Sequence, residues 1–480
     1  MELDRDALPP RRWLVRGALA VFVCVLLAPG VYAAFNPQSV ELAPGTVERT
    51  ADNETYVSIQ GFHFDGTGDP KKPARLVAAD ENAELLWNFD GEEVGARWFY
   101  DVDPMANGNL FVTSTNPGGT VVFEFDPETN DPVWTEQYDL EDTHNVDYIS
   151  DDRLLVANMR EYENGVSNDR LFIADNATGE TEWEWQFRDH YSEDTDGGFG
   201  EDWTHVNDAE VIGDGDRYVL ASPRNFDQSI VIDRETDEIV MRLGEDDNHD
   251  ILFEQHNPDY FERADGTPVM VVADSENDRV VEYERNCGDA DPRLGAGTPP
   301  DECSWERTWS VDGFNWPRDA DRLENGNTLV TDTLNHRVVE VSPQGEVVWE
   351  FHAGWAPYDA ERGEKGSNGP AISEQGASGS YTVHGGDDEG PAGRYTVADA
   401  IIDVGSGTVI EDGTNELATR WAHIEPWVRP VWMDSWTALS VALGGVLTVF
   451  WGLSEVVLNR RRLFAAVRNR FDRFSSQVRD

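Results

Sequence analysis

Twelve short segments of this chain fall into two kinds that alternate strictly, and that alternation restricts the fold more than any other feature. The first kind is a strand of alternating apolar and polar residues, a polar turn, and a second strand ending in a large apolar residue. It is clearest as Arg337-Val-Val-Glu-Val-Ser-Pro-Gln-Gly-Glu-Val-Val-Trp349 and recurs at 75–87, 120–134, 170–183, 229–241 and, interrupted by a cysteine-flanked insertion, 279–309. Period-two alternation around Asp-Pro, Thr-Gly or Gly is the pattern of a β-hairpin. The second kind is clearest as Trp316-Pro-Arg-Asp-Ala-Asp-Arg-Leu-Glu-Asn-Gly-Asn-Thr-Leu-Val-Thr-Asp332, with counterparts beginning at Trp98, Thr143, Val206, Gln255 and Ala356. Two strands of each kind make a four-stranded blade, and six blades closing radially make an all-β, six-bladed propeller. The first hairpin precedes every inner unit and the last inner unit has no hairpin after it. The two ends are therefore expected to complete one blade together.

The propeller is expected over residues 50–415. A Gly-, Ser-, Glu- and Asp-rich stretch at 361–393 interrupts the sixth inner unit as a loop, insertion or lid, and 394–410 reads as one or two further strands. Outside this body, residues 17–37 and 435–457 are uncharged or nearly so and long enough to cross a bilayer, which needs about 20 apolar residues. The first reads either as an anchor or as a cleaved signal, because Val31-Tyr32-Ala33 before Ala34 resembles a cleavage site. Arginines precede the first segment within 1–16 and follow the second within 458–480. The positive-inside rule then places both ends in the cytoplasm and the propeller on the extracellular side of the cell membrane. Cys287 and Cys303 bracket the insertion in the fifth hairpin, where an oxidising exterior allows a disulfide or two free thiols.

Composition enters through charge. Asp and Glu number 93 against 37 Lys and Arg, a formal charge of -56. A binder of nucleic-acid phosphates through a basic surface is excluded. The chain is also 39% hydrophobic with 17 tryptophans, so it can bury a large core, and the acid reads as a solvated shell suited to high salt. Against that background the residues at the start of the inner strands stand out: Tyr100, His144, Asn207, His256, Arg318 and Tyr358 in one register, with His205 two positions before Asn207. A donor-rich ring of imidazole and guanidinium suits either a metal held by neutral histidines or an oxyanion gripped beside a histidine nucleophile or acid/base. The absence of a carboxylate-rich shell among these seven favours the oxyanion, so no metal and no cofactor is expected.

The residues that carry a family likeness are Trp203-Thr-His205-Val-Asn207-Asp208, Ser222-Pro-Arg224-Asn225 running into Ile230-Val-Ile-Asp233, Gln255-His256-Asn257, and the blade phrase from Asn325 to Asp332 with Asn335-His-Arg337. Over roughly residues 55–365 the chain resembles the arylsulfate sulfotransferase family, exported six-bladed propellers. The resemblance implies transfer of a sulfuryl group from an aryl sulfate donor to a phenolic acceptor through a sulfated histidine, with no nucleotide. It implies His256 as nucleophile, His205, Asn207 and Arg224 as holders of the sulfuryl oxygens, and His144 as proton donor to the departing phenolate. Arg318, Tyr100 and Tyr358 are expected to contact substrate. No glycine-rich phosphate loop of the P-loop type occurs, in keeping with a nucleotide-free reaction.

Overall fold

The computed structural model describes residues 10–35, 42–63, 70–150, 153–213, 215–386, 396–430 and 433–477. The chain divides into two units, Val40–Arg394 and a second formed by Met1–Ser39 with Tyr395–Asp480. Residues 1–9 of the expected N-terminal tail, 36–37 of the first apolar segment, 387–393 of the Gly-rich stretch and 478–480 of the basic tail lie outside the described residues.

The first unit is a six-bladed β-propeller. Blade 1 runs Pro357–Arg362, Thr55–Ile59, Arg75–Ala79, Leu85–Phe89 from channel to rim, and blade 2 Trp98–Pro104, Leu110–Asn116, Gly119–Asp126, Asp131–Tyr138. Blades 3 and 4 are Val146–Ser150, Arg153–Asn158, Arg170–Asp175, Thr181–Gln186 and Val206–Ile212, Tyr218–Pro223, Gln228–Asp233, Glu238–Gly244. Blades 5 and 6 are His256–Glu262, Pro268–Asp274, Arg279–Asn286, Ser304–Asp312 and Asp319–Arg322, Thr328–Asp332, Arg337–Val341, Glu346–His352. Blade 1 joins the two ends of the unit: Pro357–Arg362 pairs antiparallel with Thr55–Ile59.

Three tryptophans of the outer strands reach the seam with the next blade. The indole of Trp185 donates to the Asp237 carbonyl (3.0 Å), that of Trp309 to Pro343 (2.8 Å) and that of Trp349 to Glu81 (3.3 Å), each acceptor lying in the neighbouring hairpin turn. These tryptophans are almost wholly buried, so each contributes apolar area to the seam while its one polar atom is satisfied. Near the channel the seams are ionic. Arg322 of blade 6 meets Glu282 of blade 5 at 2.8 Å with both side chains fully buried, and Arg362 of blade 1 pairs with Glu340 of blade 6. Removing one member of such a pair costs about 3–5 kcal/mol, because the other charge stays buried.

Two expectations for the region after residue 360 are corrected. The segment beyond Arg362 does not interrupt an inner unit, because Thr55–Ile59 already supplies the second strand of that blade. It crosses the channel axis at 364–369, then adds Gly379–Thr382 parallel to the outer strand of blade 5 and His384–Gly385 parallel to that of blade 6. Residues 397–428 hold two helices and no strand: Val397–Gly405 starts from a Thr396 cap on the Asp399 N–H, followed after a turn by Glu411–Val428. The residues from Tyr395 onward belong to the second unit, so the propeller ends before 415.

Within the second unit, helices Arg11–Phe35 and Ser435–Gln477 pack together, the latter long and apolar enough to cross a membrane over Ser435–Arg460, the former over its whole length. Small residues set the approach: Gly30 leaves room for Val441 and Gly444 for Leu27, so a side chain at either would collide. Arg16 and Glu455 pair at 2.7 Å near one end.

Candidate active site at one mouth of the channel

Five of the six inner strands begin with a local distortion that aims side chains at the axis. Asp142, His205, Glu254, Trp316 and Ala356 all have positive φ (53°, 40°, 45°, 54° and 55°), and each lies two positions before His144, Asn207, His256, Arg318 or Tyr358. Non-glycine residues in this region cost on the order of 1 kcal/mol or more each. A second device follows. Tyr100, Asn207 and Tyr358 are each the extra residue of a β-bulge in their own strand. A bulge re-aims the chain, so the residue and its successor both reach the channel. His205 occupies a left-handed position itself, which is why it joins the ring from outside the register.

The structure brings Tyr100, His144, His205, His256, Arg318 and Tyr358 together and buries all of them. Ring centroids lie 3.9 Å apart for Tyr100 and His144, 5.0 Å for His144 and His205, and 5.9 Å for His256 and Tyr358. The Arg318 guanidinium sits 4.6 Å from the centres of both Trp316 and Tyr358 and donates to Gln60 Oε1 at 2.6 Å. Arg224 stands at the edge, half turned to Glu254 (3.4 Å) and donating to Asn225 Oδ1 (3.1 Å). Asn207 spends one amide hydrogen on the Gln255 carbonyl at 2.9 Å, fixing the residue before His256.

His256 has a defined tautomer. Ser275 Oγ donates its one proton to the Pro317 carbonyl (2.7 Å) and must therefore accept from His256 Nδ1–H (2.8 Å). The Nε2 lone pair is left free, and among the described residues it has no hydrogen-bond partner. Burial, then the charges of Arg318 and Arg224, holds the imidazole well below its usual pKa of 6.5, so it is neutral at neutral pH. His205 is lowered to about 3, by burial first and Arg224 second, against the pull of Asp202 on its Nδ1 at 2.8 Å. His144 is also lowered by burial, and its Nδ1 lies 2.9 Å from the Tyr358 hydroxyl.

Four supporting residues were not found from the sequence. Asp142 accepts from the Tyr100 hydroxyl at 2.5 Å and pairs with Arg160, which also reaches Asp202 at 3.1 Å. Arg160 thus links the carboxylates that face His144 and His205. Burial raises the Asp142 carboxyl, but His144, Arg160 and Tyr100 outweigh it and hold it below the ordinary range. Ser275 had a legible signal: it occupies the same turn after the second strand as Arg224 in blade 4 and Thr333 in blade 6.

The opposite end of the channel is acidic. Asp103, Asp147, Glu210, Asp259, Asp321 and Glu361 stand at one register, one from each blade, beneath Asp101, Asp208, Asp319 and Asp359. Lys365 crosses the axis to meet Asp103 and Asp147 at 2.9 Å and Glu210 at 3.2 Å. Burial raises the carboxyls of Asp103 and Asp259 to about 7. On the rim of blade 5, Cys287 and Cys303 are joined by a disulfide.

No curated protein matches the chain. Among solved structures it is similar to a protein of unknown function from Bacteroides caccae (12% identity, TM-score 0.39, 64% of this chain and 98% of that one). It is similar also to hydrazine synthase of Kuenenia stuttgartiensis (11%, 0.35, 59% and 82%) and to virginiamycin B lyase of Staphylococcus aureus (9%, 0.32, 54% and 71%). Residues 47–265, which carry His144, His205, Asn207, Arg224 and His256, match the family model described as Arylsulfotransferase (ASST).

Proposed function

We propose that the protein is an aryl sulfotransferase that works by two-step exchange at the cationic mouth. The observation that carries this reading is His256: a buried, neutral imidazole whose Nδ1 proton is held by Ser275 and whose Nε2 lone pair meets no protein group. In the first step that lone pair attacks sulfur and the bond from sulfur to the aryl oxygen breaks. The bonding electrons leave on the phenolate oxygen, which takes a proton from His144 in its imidazolium form, the charge being faced by Asp142 at 3.8 Å. A sulfated histidine remains, with its Nδ1 proton still shared with Ser275. In the second step an acceptor phenol gives its proton to His144 and attacks sulfur, releasing Nε2. Arg318, Arg224 and the remaining amide hydrogen of Asn207 supply fixed donors for the sulfuryl oxygens, and His205 joins them in its doubly protonated form, since in the neutral form its one N–H faces Asp202; fixed donors contribute most where charge moves in a dry site, on the order of 3 kcal/mol each. Tyr100 and Tyr358 provide aromatic walls for the substrate ring.

The two apolar helices support anchoring in the cell membrane, with arginine-rich ends in the cytoplasm and the propeller outside. The test is incubation of the purified chain with a chromogenic aryl sulfate and a phenol in molar salt. Released chromophore, a sulfated phenol and a sulfated protein species are expected, and His256→Ala should lose all three. Transfer that persists in His256→Ala sinks the assignment, and ligand binding without turnover in the wild type identifies a non-catalytic propeller instead.

A further inference from the structure

The floor of the channel invites a reading of its own, independent of what happens at the mouth. Half of its six-carboxylate ring touches a cation. The ammonium of Lys365 satisfies the carboxylates of three consecutive blades, Asp103, Asp147 and Glu210. The other three, Asp259, Asp321 and Glu361, meet no lysine or arginine among the described ion pairs. Glu361 accepts the Gly366 N–H at 3.0 Å, whereas one oxygen each of Asp321 and Asp259 has no hydrogen-bond partner. One tier up, Asp359 and Asp319 each spend an oxygen on the backbone of the next blade, at 2.8 and 3.3 Å. Asp101 and Asp208 each keep an oxygen with no partner.

These orphaned oxygens are not at the surface. Asp101, Asp208 and Asp321 are 7%, 4% and 4% exposed, and all three line one cavity of about 20 Å³, room for one water-sized particle. A buried carboxylate without a partner is costly, and three around one small space are costlier still. As the side chains stand, no three of them are grouped as ligands of an ion. Mutually repelling carboxylates with nothing between them are expected to stand apart.

From the half-filled ring and the orphaned oxygens around this cavity, we infer that the closed end of the channel is a calcium site, formed by Asp101, Asp208, Asp259 and Asp321 opposite Lys365. A hard divalent cation is the complement of an all-oxygen, strongly negative chamber. Ca²⁺ accepts carboxylates directly in irregular geometry at about 2.3–2.6 Å, whereas Mg²⁺ demands a near-octahedral shell and keeps several waters, for which a cavity of this size has no room. The bound ion would tie blades 2, 4, 5 and 6 together where Lys365 ties 2, 3 and 4, so it is a clamp on the ring.

The test uses the full chain in detergent after treatment with a calcium chelator. Titration with CaCl₂ at constant ionic strength should show one saturable site per chain and a rise in Tm that MgCl₂ and NaCl do not reproduce. Asp208→Asn with Asp321→Asn should weaken Ca²⁺ binding by at least about tenfold. The same pair should raise the Tm of the calcium-free protein, since repulsion is relieved. If that variant does not fold, Lys365→Met supplies the second reading: without the resident ammonium, Ca²⁺ should bind tighter by about tenfold. Equal responses to Ca²⁺ and Mg²⁺, binding unchanged in Asp208→Asn/Asp321→Asn, or affinity unchanged in Lys365→Met would each overturn the site. None of these readouts involves sulfuryl transfer.

Discussion

The two ends of the channel are built by the same six strands and differ in chemistry within a single step along them. At the mouth each strand opens with His, Arg, Tyr or Asn; three residues deeper each carries Asp or Glu. About 10 Å of strand therefore separates a cluster of imidazole and guanidinium from a cluster of carboxylates. The mouth satisfies its charges through neighbours that orient them, as Asp202 does for His205 and Ser275 does the neutral His256. The floor satisfies only part of its own, through Lys365. The mouth suits an anion and the floor repels one, so the floor would limit how deep the proposed sulfated substrate can sit.

Four experiments break or sharpen that contrast. The largest effect is expected from Arg318→Met, which removes the most deeply buried cation of the mouth and strands Gln60 Oε1: transfer in a steady-state assay should fall by about 10²–10³-fold, the cost of one fixed oxyanion donor. At the floor, Lys365→Met leaves Asp103, Asp147 and Glu210 without a counter-charge, and chemical denaturation in calcium-free buffer should show a loss of roughly 3 kcal/mol. A smaller effect belongs to Arg160→Met, which disconnects Asp142 from Asp202. Transfer should drop about tenfold, a difference of roughly 1.4 kcal/mol, with Arg160→Lys recovering part of it.

The fourth is a pH profile. His256 and His205 have folded pKa values below the unfolded 6.5, so their neutral forms are favoured by folding. The stability they contribute is complete above pH 6.5 and is lost as pH falls toward the folded values, with a slope of about 1.4 kcal/mol per pH unit for each. The rate of histidine sulfation should accordingly not fall as pH drops through 6.5. A rate that halves at that pH would mean His256 titrates as an exposed imidazole.

The propeller was legible because each blade repeats: the hairpin alternation, closed by Trp in five of the six units, is a local signal, and its sixfold recurrence leaves little else to build. The mouth register was legible for the same reason, since His144, His256 and Arg318 fall at one position of the unit. Asp142 and Arg160 were not, because they act through contacts between loops of different blades, which no spacing encodes. The stretch after residue 360 was misread as an interruption because its repeat partner, Thr55–Ile59, lies at the other end of the unit. The acidic floor was visible as Asp-x-Asp in two inner strands and Asp-x-Glu in two more, yet in a chain with 93 acidic residues it looked like more of the solvated shell.

The join that completes blade 1 has a kinetic consequence. Thr55 and Arg362 pair across 307 residues of chain, so Thr55–Ile59 keeps one unpaired edge until the last inner strand has emerged. Contacts of such separation are slow to form, and an open strand edge is a template for wrong partners while it waits. Ring closure is then the final and slowest event in making this unit. A chain cut before residue 357 should accumulate as an open, association-prone arc of five blades and three strands.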